Sequence, residues 1–381
     1  MSGARIAGVD VMTIQAQLPA PVIFGDWVMK TREFALVRVR AEGPADAPAG
    51  YAYTLTRDGA VAEQIRKTIA AIYVGTAVAD RERTWTLAWR RSLASHAAGI
   101  GLRALSIVDL ACWDLAARLA ERSIADLLGG RTAPMPATAI IGYPPGTMGP
   151  EETGAQTAEL YAAGWRRFKA PTGGSAERSA ARLRAARAAA PEAWLGMDGA
   201  WVYDDVQTAA DFANSIPDVG LGWFEDVFPP GDAGKLRALR ERTSVPIAQG
   251  DEQGGLYYPE ALIRAEAVDV VRVDLTCMGG ITGARRVIDE TLAAGLAFAP
   301  HMFPHVHSQV LAAWGFTEVP IEWGIPGTGV HPMDDPLPQP ELDEQGRMLP
   351  FPDAPGFGHM IDPDWVRSQP HDDPDGILGR L

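Results

Sequence analysis

The stretch RRFKAPTGGSAERSAARLRAARAAAPEAWLGMD, residues 166–198, contains one complete repeat of the architecture. It opens on a short apolar run, RRFKA, passes through the Ala- and Arg-rich segment ERSAARLRAARAAA at 177–190, and closes on a second run, AWLGMD. Strand, helix and strand in succession form a β/α unit, because a helix crossing back over a sheet leaves its two flanking strands parallel. Each run also carries an ionisable side chain at or next to its end, Lys169 in the first and Asp198 in the second.

The same rhythm extends in both directions. ATAII precedes the unit, while LGWFED, VPIAQGDE, VDVVRVD, LAFAPH and VPIEW follow it, with helical segments such as TGARRVIDETLAAG between them. Eight runs predict eight strands and a closed parallel barrel. The terminal ionisable residues are Lys169, Asp198, Glu225, Asp251, Asp274, His301 and Glu322, at successive spacings of 29, 27, 26, 23, 27 and 21 residues. One β/α unit separates each pair. In such a barrel the C-terminal strand ends converge on one face, so these residues become neighbours around a single pocket.

Asp198, Glu225 and Asp251 are consecutive carboxylates in this series. Three like charges brought together repel unless a cation lies between them, and hard oxygen ligands select Mg²⁺ over zinc or copper. Lys169 is conspicuous by composition: of 34 basic residues only four are lysine, at positions 30, 67, 169 and 235, leaving 34 − 4 = 30 arginines. A lysine on a barrel floor acts as a compact electrophile or a proton carrier, which arginine does less well. Asp274 and His301 end adjacent strands, so the carboxylate can bond one ring nitrogen and raise the basicity of the other. His305 and His307 in HMFPHVH are rivals, but only His301 directly follows the apolar run; a zinc site built on H-x-H would lack partner histidines at earlier strand ends. Gly279-Gly280 reads as a tight β-to-α turn, and Asp109, Trp113 and Asp114 read as structural.

The first ~130 residues follow another grammar, of a size consistent with a second, smaller domain. VDVMTIQAQL and REFALVRVRA alternate with period two, and GAVAEQIRKTIAAIYVG and LRALSIVDLACWDLAARLA show helical spacing, which together predict an α+β unit. The Pro-, Gly- and Asp-rich tail from Gly324, with DPLPQPELDEQGRM resembling a hairpin, is expected to fold back over that first domain. A formal net charge of −14 disfavours nucleic acid and anionic membrane as partners. Cys112 and Cys277 are too isolated for a disulfide framework, and no signal-like or membrane-spanning run is seen, so a cytoplasmic location is expected.

The stretches GWRRFK (164–169), MDGAW (197–201), WFED (223–226), PIAQGDE (246–252), VDLTCMGGITG (273–283), APHMF (299–303) and PIEW (320–323) together resemble the enolase superfamily, and within it the mandelate racemase subgroup. WDLAARLAERSIADLLGG and PDAPGFG (352–358) match the flanks. The resemblance implies a modified (β/α)7β barrel of the TIM type over 133–325, an α+β capping domain over 1–132, and a segment 326–381 returning to the cap. It further implies Mg²⁺ held by Asp198, Glu225 and Asp251, with Glu252 as the alternative third ligand, and Lys169, Asp274, His301 and Glu322 as catalytic residues. One position departs: where the family's K-x-K places a second lysine, this chain has Pro171. Nor does VRVDLTCMGG carry the lysine of muconate-cycloisomerase relatives.

Since the second lysine serves as base on one face of the substrate carbon, its loss leaves one-base chemistry. The resemblance then implies dehydration of a sugar acid to a 2-keto-3-deoxy acid, a lyase reaction of carbohydrate catabolism. A racemase or epimerase on the same fold and a catalytically silent metal-binding homologue are the alternatives. Substrate is expected to be read by Phe24, Gly25, Asp26 and Trp27 of the cap and by Tyr143. No arginine is singled out for a second carboxylate, which leaves mono- and di-acids open. The family favours a homo-oligomer.

Overall fold

A computed structural model describes residues 3–24, 27–44, 46–91, 93–251, 253–358 and 361–381, the side chain of His96 excepted. Gly25 and Asp26, expected at the substrate, and Glu252, the alternative metal ligand, lie outside the described residues.

The barrel forms from the eight apolar runs. Its strands are β4 (Met135–Ile140), β5 (Arg167–Pro171), β6 (Trp194–Asp198), β7 (Trp223–Glu225), β8 (Ile247–Gln249), β9 (Val270–Val273), β10 (Ala297–Pro300) and β11 (Ile321–Gly324). Neighbours pair in parallel from β4 through β10, and β11 pairs in parallel with β4, so the barrel is nearly closed. Register brings Pro171 opposite Asp198, and Asp198 opposite Glu225. Between β10 and β11 no strand ladder is recorded among the described residues; there the Met302 amide donates to Glu322 Oε2 at 3.2 Å. The outer helices include Ala176–Ala189, which covers the Ala/Arg-rich segment, and Gly280–Ala293.

Before the barrel lie β1 (Ile6–Phe24), β2 (Trp27–Ala41) and β3 (Ala49–Leu55), antiparallel in sequence order. Behind them runs the helix Gly99–Leu119, in which every residue from Gly101 to Ala117 is buried. A helix apolar on all sides sits between layers, and here its few polar groups staple those layers together. Asp109 accepts from the Thr282 amide and hydroxyl at the start of the barrel helix Gly280–Ala293. Asp114 accepts from the amides of Tyr51 in β3 and Phe357 in the tail. Gly280 has φ +71°, and a Cβ there would collide with the Asp109 carboxylate, so the glycine pair serves a turn and a close helix approach.

The tail makes two returns. Leu342 bridges Met348, and β12 (Arg347–Met348) pairs antiparallel with β4, so the hairpin-like stretch docks on the first barrel strand. Only later does β13 (His371–Asp372) join β1 of the cap sheet.

Candidate active site

Strand geometry alone places the key side chains. Successive residues of a strand point to opposite faces, and the C-terminal ends of β5 to β11 open on a common face. A cavity there is lined by Lys169, Asp198, Glu225, Asp226 and His301 from the barrel, and by Phe24, Trp27, Arg32, Leu55 and Arg57 from the cap, with Tyr143 and Pro171 beside them. Five non-glycine residues with left-handed backbone, Ala200, Trp201, Asp226, Met302 and Phe303, lie one to three positions after Asp198, Glu225 and His301. Such backbone costs about 1–3 kcal/mol per residue, and it concentrates where side chains must be aimed.

At the floor a buried charge quartet joins four strands. Lys169 Nζ lies 2.6 Å from Glu322 Oε1 and 3.2 Å from Glu225 Oε1, with Asp198 Oδ2 at 3.9 Å. Arg272, fully buried on β9, donates from Nε to Glu225 Oε1 at 3.1 Å and from Nη2 to Glu322 Oε1 at 2.6 Å. Burial would lower the Lys169 pKa, but Glu225 and Glu322 reverse this and raise it, so the ammonium stays charged. Burial would likewise raise Glu322, yet Arg272 and Lys169 hold it down to about 2. Glu225 is pushed up to about 7, since its burial outweighs the same two cations.

Beside the quartet, Glu225, Asp226 and Asp251 bring carboxylate oxygens within 4.8 Å of one another, all buried. Gly250, at φ +149°, allows the chain to turn Asp251 inward, because a Cβ there would meet Arg272 O at 2.8 Å. Both Asp251 oxygens are buried without a hydrogen-bond partner among the described residues. Burial pushes Asp226 well up, and Asp251, Glu225 and Asp198 add to the rise by repulsion. An orphaned carboxylate inside a cluster of hard oxygen donors fits a divalent cation. Asp198 faces the same cavity, with Oδ1 accepting from the Ala200 amide at 2.9 Å, and is less buried than the other three acids.

His301 Nδ1 lies 3.2 Å from Asp274 Oδ2 and 3.3 Å from Asp251 Oδ2. Burial would raise the Asp274 pKa, but the hydrogen bond to His301 and the nearby positive charges of His301 and Arg103 overcome it and hold the carboxylate well below its usual range. The rival histidines have other roles. His307 accepts from the Leu275 amide at Nε2 and donates from Nδ1 to Met302 O at 2.6 Å, which occupies both nitrogens and fixes it as a neutral brace. His305 packs on Trp323 and Phe351.

Arg272, Asp226, Arg32 and Arg57 were not singled out from the sequence. Arg272 did carry a signal: it is the one charge inside the apolar run VVRV. Arg32 stands at the start of an alternating strand and resembles any solvent-facing residue there.

Two family descriptions match the chain, "Mandelate racemase / muconate lactonizing enzyme, N-terminal domain" over residues 8–129 and "Enolase C-terminal domain-like" over 152–365. L-rhamnonate dehydratase of Saccharopolyspora erythraea is 27% identical over 325 residues, 81% of this chain and 79% of that protein. D-galactarolactone cycloisomerase of Agrobacterium fabrum is 25% identical over 308 residues, 76% of this chain and 80% of that one. The crystal structure of a member of the enolase superfamily from Polaromonas sp. JS666 superposes with a TM-score of 0.85 at 26% identity, covering 97% of this chain and 98% of that one. No helix among the described residues is long and apolar enough to cross a membrane.

Proposed function

The chain belongs to the mandelate racemase/muconate lactonizing enzyme family of the enolase superfamily, and from that premise we propose that it is a Mg²⁺-dependent acid-sugar dehydratase. It removes the proton alpha to a carboxylate and eliminates the β-hydroxyl as water, yielding a 2-keto-3-deoxy acid. The observation that carries this reading is the pairing of His301 with Asp274 on one side of the cavity while Pro171, which cannot titrate, lines it as well.

Asp198, Glu225 and Asp251 would hold the metal, with Asp226 adjoining them. Bound there, Mg²⁺ supplies Lewis-acid stabilisation of negative charge as it develops on the substrate carboxylate. Lys169 adds a fixed positive charge at the same end, where Glu322 and Glu225 keep it protonated and immobile. His301, with Nδ1 toward Asp274, takes the α-proton at Nε2 and can return it to the departing hydroxyl. Glu322 positions Lys169 and Arg272. Its direct action on substrate is not needed, since both cations already engage its Oε1. The relatives named as dehydratase and cycloisomerase support chemistry on sugar-derived carboxylates.

A library of sugar acids incubated with the Mg²⁺-loaded enzyme and assayed for 2-keto acid formation tests the proposal. Turnover of at least one member with loss of water is expected. Formation of only an α-epimer, or no turnover across the library, overturns it.

A further inference from the structure

Arg32 reaches the cavity from β2 with only 8% of its surface exposed. Its Nε donates to Gly329 O at 3.0 Å and its Nη2 to the Tyr143 hydroxyl. Its guanidinium carbon lies 5.9 Å from the Tyr143 ring centroid. Nη1 has no hydrogen-bond partner, and no carboxylate pairs with Arg32, among the described residues. Other buried cations are treated differently. Lys169 and Arg272 each contact carboxylates, as does Arg38 through Asp10. Arg182, which carbonyls and a hydroxyl satisfy at all three nitrogens, does not line the cavity. A buried guanidinium without a counter-anion is costly to maintain. Placed at the rim of a ligand cavity, it is a waiting partner for an anion.

The cavity is therefore bipolar. The acid cluster and Lys169 lie on the barrel side, and Arg32 and Arg57 line the cap side. We propose that Arg32 and the Tyr143 hydroxyl form a subsite for a second, distal carboxylate, making the substrate an aldaric acid rather than an aldonic acid. This rests on the reading above that the reacting carboxylate sits at the barrel end. A guanidinium edge beside a phenol hydroxyl matches a planar carboxylate, which accepts two near-parallel hydrogen bonds. A neutral hydroxymethyl terminus would leave the cation unmatched and desolvated.

The test compares, on the Mg²⁺-loaded enzyme, an aldaric acid with the aldonic acid and the terminally phosphorylated aldonic acid of the same length and configuration. The expected kcat/KM for the aldaric acid exceeds that of the aldonic acid by about 100-fold, the scale of a desolvated charge pair. In Arg32→Met that ratio should collapse toward unity, and in Tyr143→Phe it should fall by roughly 10-fold. Equal or better turnover of the aldonic acid overturns the proposal while leaving the dehydratase reading intact. Preference for the phosphorylated acid overturns the carboxylate assignment. Calorimetry with a non-reactive dicarboxylate and its monocarboxylate counterpart separates the two readings further. Tighter binding of the dicarboxylate, lost in Arg32→Met, supports the subsite even if no sugar acid is dehydrated. Equal binding of the two overturns it.

Discussion

Lys169 Nζ and Glu322 Oε1 meet at 2.6 Å across the barrel floor, tying β5 to β11 and holding the ammonium in its charged form. On the proposed mechanism a lysine so paired serves as a fixed charge and not as a base. Arg272 contacts the same Glu322 oxygen, so the carboxylate keeps one cation if the other is removed.

Lys169→Met should consequently fold, with a stability loss below the 3–5 kcal/mol of a buried pair broken outright, because Arg272 remains. Turnover should drop by about 100-fold or more, since a charge preorganised beside the reacting carboxylate is gone. Steady-state kinetics beside circular dichroism checks both. Near-native kcat in a folded variant would take Lys169 out of the mechanism.

Metal removal should lower the thermal midpoint, and added Mg²⁺ should restore it, because binding to the folded state alone is stabilising by mass action. Asp251→Asn should abolish that response, as its two buried oxygens accept no hydrogen bond among the described residues, His301 Nδ1 lying 3.3 Å from Oδ2. Calorimetric titration of Asp198→Asn against Asp226→Asn distinguishes the third ligand. Loss of affinity in the first and its retention in the second are expected. The reverse result would replace Asp198 by Asp226.

His301→Asn should end both dehydration and exchange of the α-proton. In D₂O the wild-type enzyme should introduce deuterium from one face only, because Pro171 offers no ionisable group on the other. Proton NMR follows isotope entry and configuration together. Epimerised substrate, or exchange persisting in the variant, would show a second base and end the one-base scheme.

His305 gives a pH-dependence of stability separate from catalysis. Burial lowers its pKa from 6.5 to about 4, against a smaller opposing pull from Asp334. Between those values the unfolded chain binds a proton that the folded chain does not. Stability is thus highest above pH 6.5, falls as pH drops through the window, and levels off below about 4. At roughly 1.4 kcal/mol per unit, the loss is at most about 3.5 kcal/mol. Denaturant unfolding from about pH 7 to about pH 4 should show a smaller loss in His305→Phe, which keeps the ring contacts to Trp323 and Phe351. Parallel profiles would contradict the assignment.

The barrel and the residues that cap its strands are legible in the amino-acid order, because a strand, its helix and the spacing of one β/α unit are local properties. All eight apolar runs are strands, and Lys169, Asp198, Glu225 and His301 line one cavity, with Asp274 bonded to His301 behind it. The tertiary structure alone decided what each charge faces. His301 and His307 stand six positions apart in the same stretch, yet one meets Asp274 at the cavity and the other braces a turn. Arg272 became the second cation of the floor, and Arg32 a buried cation without a carboxylate partner among the described residues, through contacts spanning 50 and 297 residues of chain. Electrostatic roles depend on distance and burial, and for partners so remote in sequence neither is set by local pattern, only by the closure of the barrel beneath its cap.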